Sequence, residues 1–139
     1  REHGRNFYSR HDYEEIETDR ANAVMRRLRE QLPKLGGSTL GGMDVSAADE
    51  FAYDDPVDGS HTAGQGVRIL FADGARIVFR LSGTGTAGAT LRIYIERVEP
   101  DPNRHGHDPQ VVLAPLIDAA AEVSDLASLT GRTTPDVIT

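Results

Sequence analysis

Apolar and polar positions alternate with a period of two through the middle of the chain. Val67, Ile69 and Phe71 share one face of a first run, Ile77, Phe79 and Leu81 one face of a second, and Leu91, Ile93 and Ile95 one face of a third. That period marks half-buried strands. Asp73-Gly74 lies between the first two runs, and Asp-Gly between alternating runs signals a tight hairpin. Val98 falls one residue out of phase and predicts a bulge.

The pattern changes to a helical period on either side. Ala21, Val24, Met25, Leu28 and Leu32 fall on one face of a helix. Thr18 suits its N-cap and Asp19 its first turn, while Pro33 with Gly36-Gly37 ends it. A second helical stretch starts at Asp108 as cap with Pro109 in first position, and Gly131 closes it. Leu113, Leu116, Ile117, Ala120, Val123 and Ala127 form its apolar stripe, and Pro115, too deep for that first turn, predicts a kink or a break into two helices. Short strands are predicted near 43–47 and 51–53, an extended piece at 13–16 and an extended tail at 132–139. The expected fold class is α+β, an antiparallel sheet of about four strands with two helices packed on one face.

The chain has 139 residues, 38% hydrophobic and 27% charged, which suits one domain spanning 1–139. Its formal net charge is −7 without a basic run, so nucleic acid is a poor partner. There is no cysteine, which excludes disulfide and thiolate chemistry. No apolar run approaches membrane-spanning length and no signal peptide is visible, so the expected address is cytoplasmic with no membrane partner. The chain begins "REHGRN" without methionine, as a domain of a longer protein or a processed chain would.

The candidate chemistry sits in "GTGTAG", residues 83 to 88, which satisfies G-x-G-x-x-G. A dinucleotide fold requires a helix after that loop, whereas "ATLRIYIE" follows and reads as a strand. A kinase loop does lie between strands, but the lysine strand, catalytic loop and metal aspartate are absent. What remains is a strand, a glycine loop and a strand. Gly83, Gly85 and Gly88 permit backbone amides to converge as an anion nest, and Ser82 and Thr84 add hydroxyls. Arg80 and Arg92 bracket the loop on the polar face of both strands, where guanidinium forks suit a phosphate. The plainer alternative is a glycine-softened connection with two surface arginines, but a turn needs fewer glycines and no flanking arginines.

"RLSGTGTAGATLRIYIE" resembles the phosphate-binding loop of phosphoglucomutases in the α-D-phosphohexomutase superfamily. "GRNFYSRHDYEEIE", "YDDPVDGS" with "DGARIVFR", "HDPQVVLAPLI" and the ending "GRTTPDVIT" resemble the same family in the same order. The resemblance covers nearly the whole chain and implies the C-terminal domain of a larger multidomain enzyme, with a TATA-binding-protein-like fold. "SGTGTAG" favours the glucose-specific branch over the shorter "SGTEP" loop of phosphomannomutase-type members. Such enzymes interconvert glucose 1-phosphate and glucose 6-phosphate through a phosphoserine and glucose 1,6-bisphosphate, with Mg2+ as cofactor. By similarity, Arg80, Ser82, Thr84 and Arg92 would bind the phosphate of a phosphosugar through side chains, and Gly83 and Gly85 through the backbone. Phosphate or sulfate would suit the same loop. Thr86 departs from the usual serine and keeps a hydroxyl. The phosphoserine, magnesium and sugar-recognition loops are absent, so the resemblance implies no catalytic or metal residue here and an inactive isolated chain that works with the enzyme's other domains.

Other acidic and histidine groups read as structural. Asp54, Asp55 and Asp58 lack the spacing and distal glutamate of a calcium loop, so a turn is expected. His105 and His107 have no second ligand cluster. Asp12, Glu14, Glu15 and Glu17 are expected on a solvated face. Two other functions remain open: a free-standing phospho-ligand or interaction module, and a structural domain with a vestigial loop.

Overall fold

The computed structural model describes residues 5–40, 42–55, 62–85, 88–99, 110, 113–132 and 134–139. Strand β1 (Arg5–Ile16) leads into helix α1 (Thr18–Leu35), then β2 (Thr39–Leu40) and β3 (Met43–Asp55). Strands β4 (Thr62–Phe71), β5 (Arg76–Gly85) and β6 (Gly88–Glu99) follow, then helices α2 (Ala114–Ser124) and α3 (Leu126–Thr130) and strand β7 (Val137–Ile138). The strands form one antiparallel sheet in the order β2-β3-β4-β5-β6-β1-β7.

The α+β class and the packing of helices on the sheet are as expected, but among the described residues the sheet has seven strands rather than about four. Two of the additional strands are two-residue pieces. The remaining difference arises because β1 and β3 carry few large apolar residues. In β1 the positions between the buried Phe7 and Tyr13 are the buried Ser9 and His11, so period-two hydrophobicity is interrupted although the strand is not. The two short strands expected at 43–47 and 51–53 are one continuous strand, β3, paired with β4 from Val45 to Asp55.

The hairpin at Asp73-Gly74 forms as its sequence dictates. Gly74 has φ +93°, its N–H donates to Phe71 O at 3.0 Å, and Asp73 Oδ1 accepts from the Ala75 N–H at 2.9 Å. The alternating residues Val67, Ile69, Ile77, Phe79, Leu91 and Ile95 are all buried on the inner face, against which Val24, Met25 and Leu28 of α1 and Leu116, Ala120 and Val123 of α2 pack. Burying side chains of this size is worth about 1.5–3 kcal/mol each.

Three local expectations are corrected. Glu17, not Thr18, occupies the N-cap of α1 without a side-chain bond, whereas the helix ends as expected, with Pro33 in its last turn and Gly36 as its C-cap. Pairing of β6 with β1 runs without a shift from Leu91 to Glu99, so Val98 marks no bulge. Ala127 is exposed and Leu126 takes the buried place, because Asp125 adopts φ +52° and breaks the helical phase after α2. The break expected near Pro115 is present. Gln110 is helical, Leu113 is a turn, and Pro115 stands in the first turn of α2, where its missing N–H costs nothing. Gly131 closes α3 at φ +76°, as expected. Asp108 and Pro109 lie outside the described residues.

Candidate phosphate site

With Ile77, Phe79 and Leu81 on the inner face, the alternation of β5 puts Arg80 and Ser82 on the outer one. In β6 the same rule places Arg92 and Tyr94 outward. Arg80 and Arg92 are Cα partners across the ladder, Ser82 pairs with Thr90, the register then shifts, and Gly85 pairs with Gly88 at the root of the turn. The two arginines predicted to bracket the loop are thus brought side by side beneath it. Gly83, Thr84 and Gly85 complete β5, and Thr86 lies outside the described residues.

Like charges directly opposite in a sheet are destabilising, so their surroundings matter. The Arg80 guanidinium lies over the Tyr94 ring, 5.8 Å from its centroid. Arg92 pairs with Asp12 on the next strand, Nε to Oδ2 at 3.6 Å. The same carboxylate meets Arg10 from its other oxygen, Nε to Oδ1 at 3.0 Å. Farther along the face, Arg68 is bidentate to Asp49 at 2.7 and 3.0 Å, and Arg76 bonds Glu96 at 2.7 Å. Asp12, Arg92 and Arg80 thus stand next to one another across three adjacent strands, in a chain of net charge −7. Beside it opens a groove of about 300 Å³ in which Val78 and the rings of Tyr8, Phe51 and Tyr94 meet Arg68 and Arg80. The Phe51 ring fills the space that a side chain on Gly66, the β4 partner of Arg80, would need.

The third glycine of the motif has a packing reason. Gly88 adopts φ +94°, and a Cβ there would lie 3.0 Å from Ile16 O and 3.3 Å from Glu15 Cα. That backbone belongs to a β1 bulge between Tyr13 and Ile16, where Glu15 has φ +55°. The tail holds the bulge. Asp136 Oδ2 accepts from the Glu14 N–H at 2.6 Å and from Arg132 at 2.9 Å, and Arg132 also donates to Glu14 O at 2.7 Å. These bonds to the charged form keep the Asp136 carboxyl below its ordinary range.

Glu14, Glu15 and Glu17 are exposed as expected. Asp12 is not: its side chain is 4% exposed. It reads as solvated because its neighbours in sequence are polar, whereas β1 is paired on both edges at this point, with Arg92 and with Val137. Asp54 and Asp55 end β3, while Asp58, His105 and His107 lie outside the described residues. Sequence reasoning also missed His11, which is buried on the inner face. Its Nε2 lies 3.2 Å from Gln110 Oε1, and Gln110 Nε2 donates to Ser9 Oγ at 2.9 Å. Burial lowers the His11 pKa, against the opposing effects of Gln110 and Asp12. Among the described residues no helix is long and apolar enough to cross a membrane.

The family profile described as "Phosphoglucomutase-1, C-terminal domain" matches residues 5–136. The chain belongs to the phosphoglucomutase C-terminal domain family. It is 56% identical over 138 residues to the phosphoglucomutase of Rhizobium radiobacter, covering 99% of this chain and 26% of that protein. To phosphoglucomutase-1 of Homo sapiens it is 51% identical over 143 residues, covering 99% and 25%. The chloroplastic phosphoglucomutase of Solanum tuberosum is 55% identical over 138 residues, covering 99% and 22%. The chain thus spans about a quarter of the length of these relatives. Its fold matches the crystal structure of exocytosis-sensitive phosphoprotein pp63/parafusin from Paramecium, a phosphoglucomutase in open form, at TM-score 0.77 and 42% identity, over 97% of this chain and 23% of that one.

Proposed function

We propose that this chain is the C-terminal, phosphate-gripping domain of a multidomain phosphoglucomutase that interconverts glucose 1-phosphate and glucose 6-phosphate. The observation that carries the reading is the placement of Arg80 opposite Arg92 at the root of the glycine loop. A phosphate dianion between them would relieve their mutual repulsion and gain charge-assisted hydrogen bonds. Ser82, Thr84 and the amides of Gly83 and Gly85 would complete the cradle, holding one phosphate of glucose 1,6-bisphosphate while the other reacts. Phosphoryl transfer is largely positioning and electrostatic stabilisation, so gripping the unreactive phosphate orients the reactive one.

Among the described residues no three His, Asp or Glu side chains gather to hold a metal ion. The reading itself assigns magnesium and the phosphoserine to other domains and routes no step through this chain. The cellular address in this reading is cytoplasmic, with the plastid as the alternative that the chloroplastic relatives raise.

Mutase assays on the parent enzyme test the proposal. Charge-assisted bonds are worth about 1.5–3 kcal/mol, so Arg80→Ala and Arg92→Ala should each lower kcat/KM roughly tenfold to a hundredfold. Arg76→Ala, which removes a cation already bonded to Glu96, should leave it nearly unchanged. Equal effects of all three would contradict the site. A gene encoding only this domain would favour the free-standing module.

A further inference from the structure

Asp12 is a carboxylate where an anion site has no electrostatic use for one. It stands directly opposite Arg92, and its side chain is almost fully withdrawn from water. A buried carboxylate is costly unless paired, and here two guanidiniums share it, Arg92 on Oδ2 and Arg10 on Oδ1. The pairing does not read as a device for stability. Among the described residues, Nε of Arg10, Nε of Arg92 and Oδ1 of Asp12 are buried without an aligned hydrogen bond, although the ions are in contact. Buried ion pairs with incomplete hydrogen bonding contribute little to folding. A negative charge beside a phosphate site would weaken it through repulsion, so the gain from this carboxylate must be geometric.

We infer that Asp12 is a positioning residue, whose buried carboxylate holds the Arg92 guanidinium by its Nε edge so that its terminal nitrogens are presented to the phosphate. Arg10 is the second cation on the same carboxylate and fixes its other oxygen, Nε to Oδ1 at 3.0 Å. This rests on the phosphate reading proposed above. The strand beneath Asp12 is suited to the task. β1 is paired with β6 on one edge and β7 on the other, and its Asp12 carbonyl accepts from the Asp136 N–H at 2.8 Å. Arg10 exchanges backbone bonds of 3.0 and 2.9 Å with Thr139. By contrast, the β5–β6 hairpin loses its regular register beyond Ser82. Arg92 is thereby referenced to the rigid part of the sheet rather than to the loop it serves.

Charge and geometry predict opposite signs for Asp12→Asn, which removes a negative charge while keeping the shape. The measurement is the affinity of the chain for inorganic phosphate, with ¹⁵N signals of the Arg92 Nε–H followed in the absence of ligand. The expected result is binding weakened about tenfold in Asp12→Asn, partly restored in Asp12→Glu, with faster exchange of the Arg92 Nε–H. Unchanged or tighter binding by a folded Asp12→Asn overturns the inference, while loss of binding in Arg92→Ala keeps the phosphate site itself. Failure of the unaltered chain to bind phosphate overturns both. If Asp12→Asn does not fold, the unaltered chain still decides: a mobile, rapidly exchanging Arg92 guanidinium overturns the positioning role, and an ordered one supports it.

Discussion

Arg80 and Arg92 are cross-strand partners in the β5–β6 ladder, two cations where an antiparallel sheet ordinarily sets a complementary pair. In the proposed reading the pair gains on binding an anion, so that stability and binding separate under mutation. Arg80→Thr, with a β-branched side chain suited to a strand, should change unfolding free energy by less than about 1 kcal/mol. The same change should weaken phosphate binding at least tenfold. Chemical denaturation and calorimetry on one sample would check both.

Gly88 and Gly74 share a positive φ but not an environment. Alanine at Gly74, where nothing lies within 4 Å of the added Cβ, should cost about 1–2 kcal/mol from backbone strain alone. Alanine at Gly88 would also press on the backbone of Ile16 and Glu15, and should cost roughly 2–4 kcal/mol. Equal losses in urea unfolding would show that the β1 bulge yields freely.

Where side-chain chemistry and local period agree, the fold was legible from the residues. The Asp73-Gly74 hairpin, the face of α1 and the outward placement of Arg80 and Arg92 all follow from alternation and turn chemistry. β1 was legible only at its 13–16 end, because farther back Ser9 and His11 occupy inward positions and bond through Gln110, far away in sequence. Asp12 went unread for the same reason: its burial depends on pairing with strands that enter later in the chain. The G-x-G-x-x-G match was informative only in part. Gly88 also answers to the packing of β1, a reason the motif alone does not reveal.

Burial disfavours the charged form of His11 and lowers its pKa from 6.5. The unfolded chain therefore takes up this proton first as pH falls, and stability should decline from about pH 6.5 until the folded pKa is passed. It should be fully present above that window. His11→Gln, which keeps a donor for Gln110, should flatten the decline. Thermal melts across the window test this, and an unchanged slope would reject it.

The Arg132–Asp136 clamp should respond at lower pH. Asp136 has a folded pKa below its ordinary 3.8 through its bonds to the Glu14 N–H and Arg132. Its contribution is thus present above 3.8 and lost as pH falls through the lowered value. Asp136→Asn should be less stable than the unaltered chain at neutral pH and equal to it in strong acid. A stability difference that persists in strong acid would place the clamp's effect elsewhere.

The central claim is that this domain carries a preformed phosphate site at the root of the glycine loop. Its most direct test is titration of the chain with inorganic phosphate, glucose 1-phosphate and glucose, following the amide resonances from Ser82 to Gly88. The account predicts saturable shifts in that loop and at Arg80 and Arg92 with both phosphates, and none with glucose. Absence of any shift at high millimolar phosphate, or equal shifts with glucose, would contradict it.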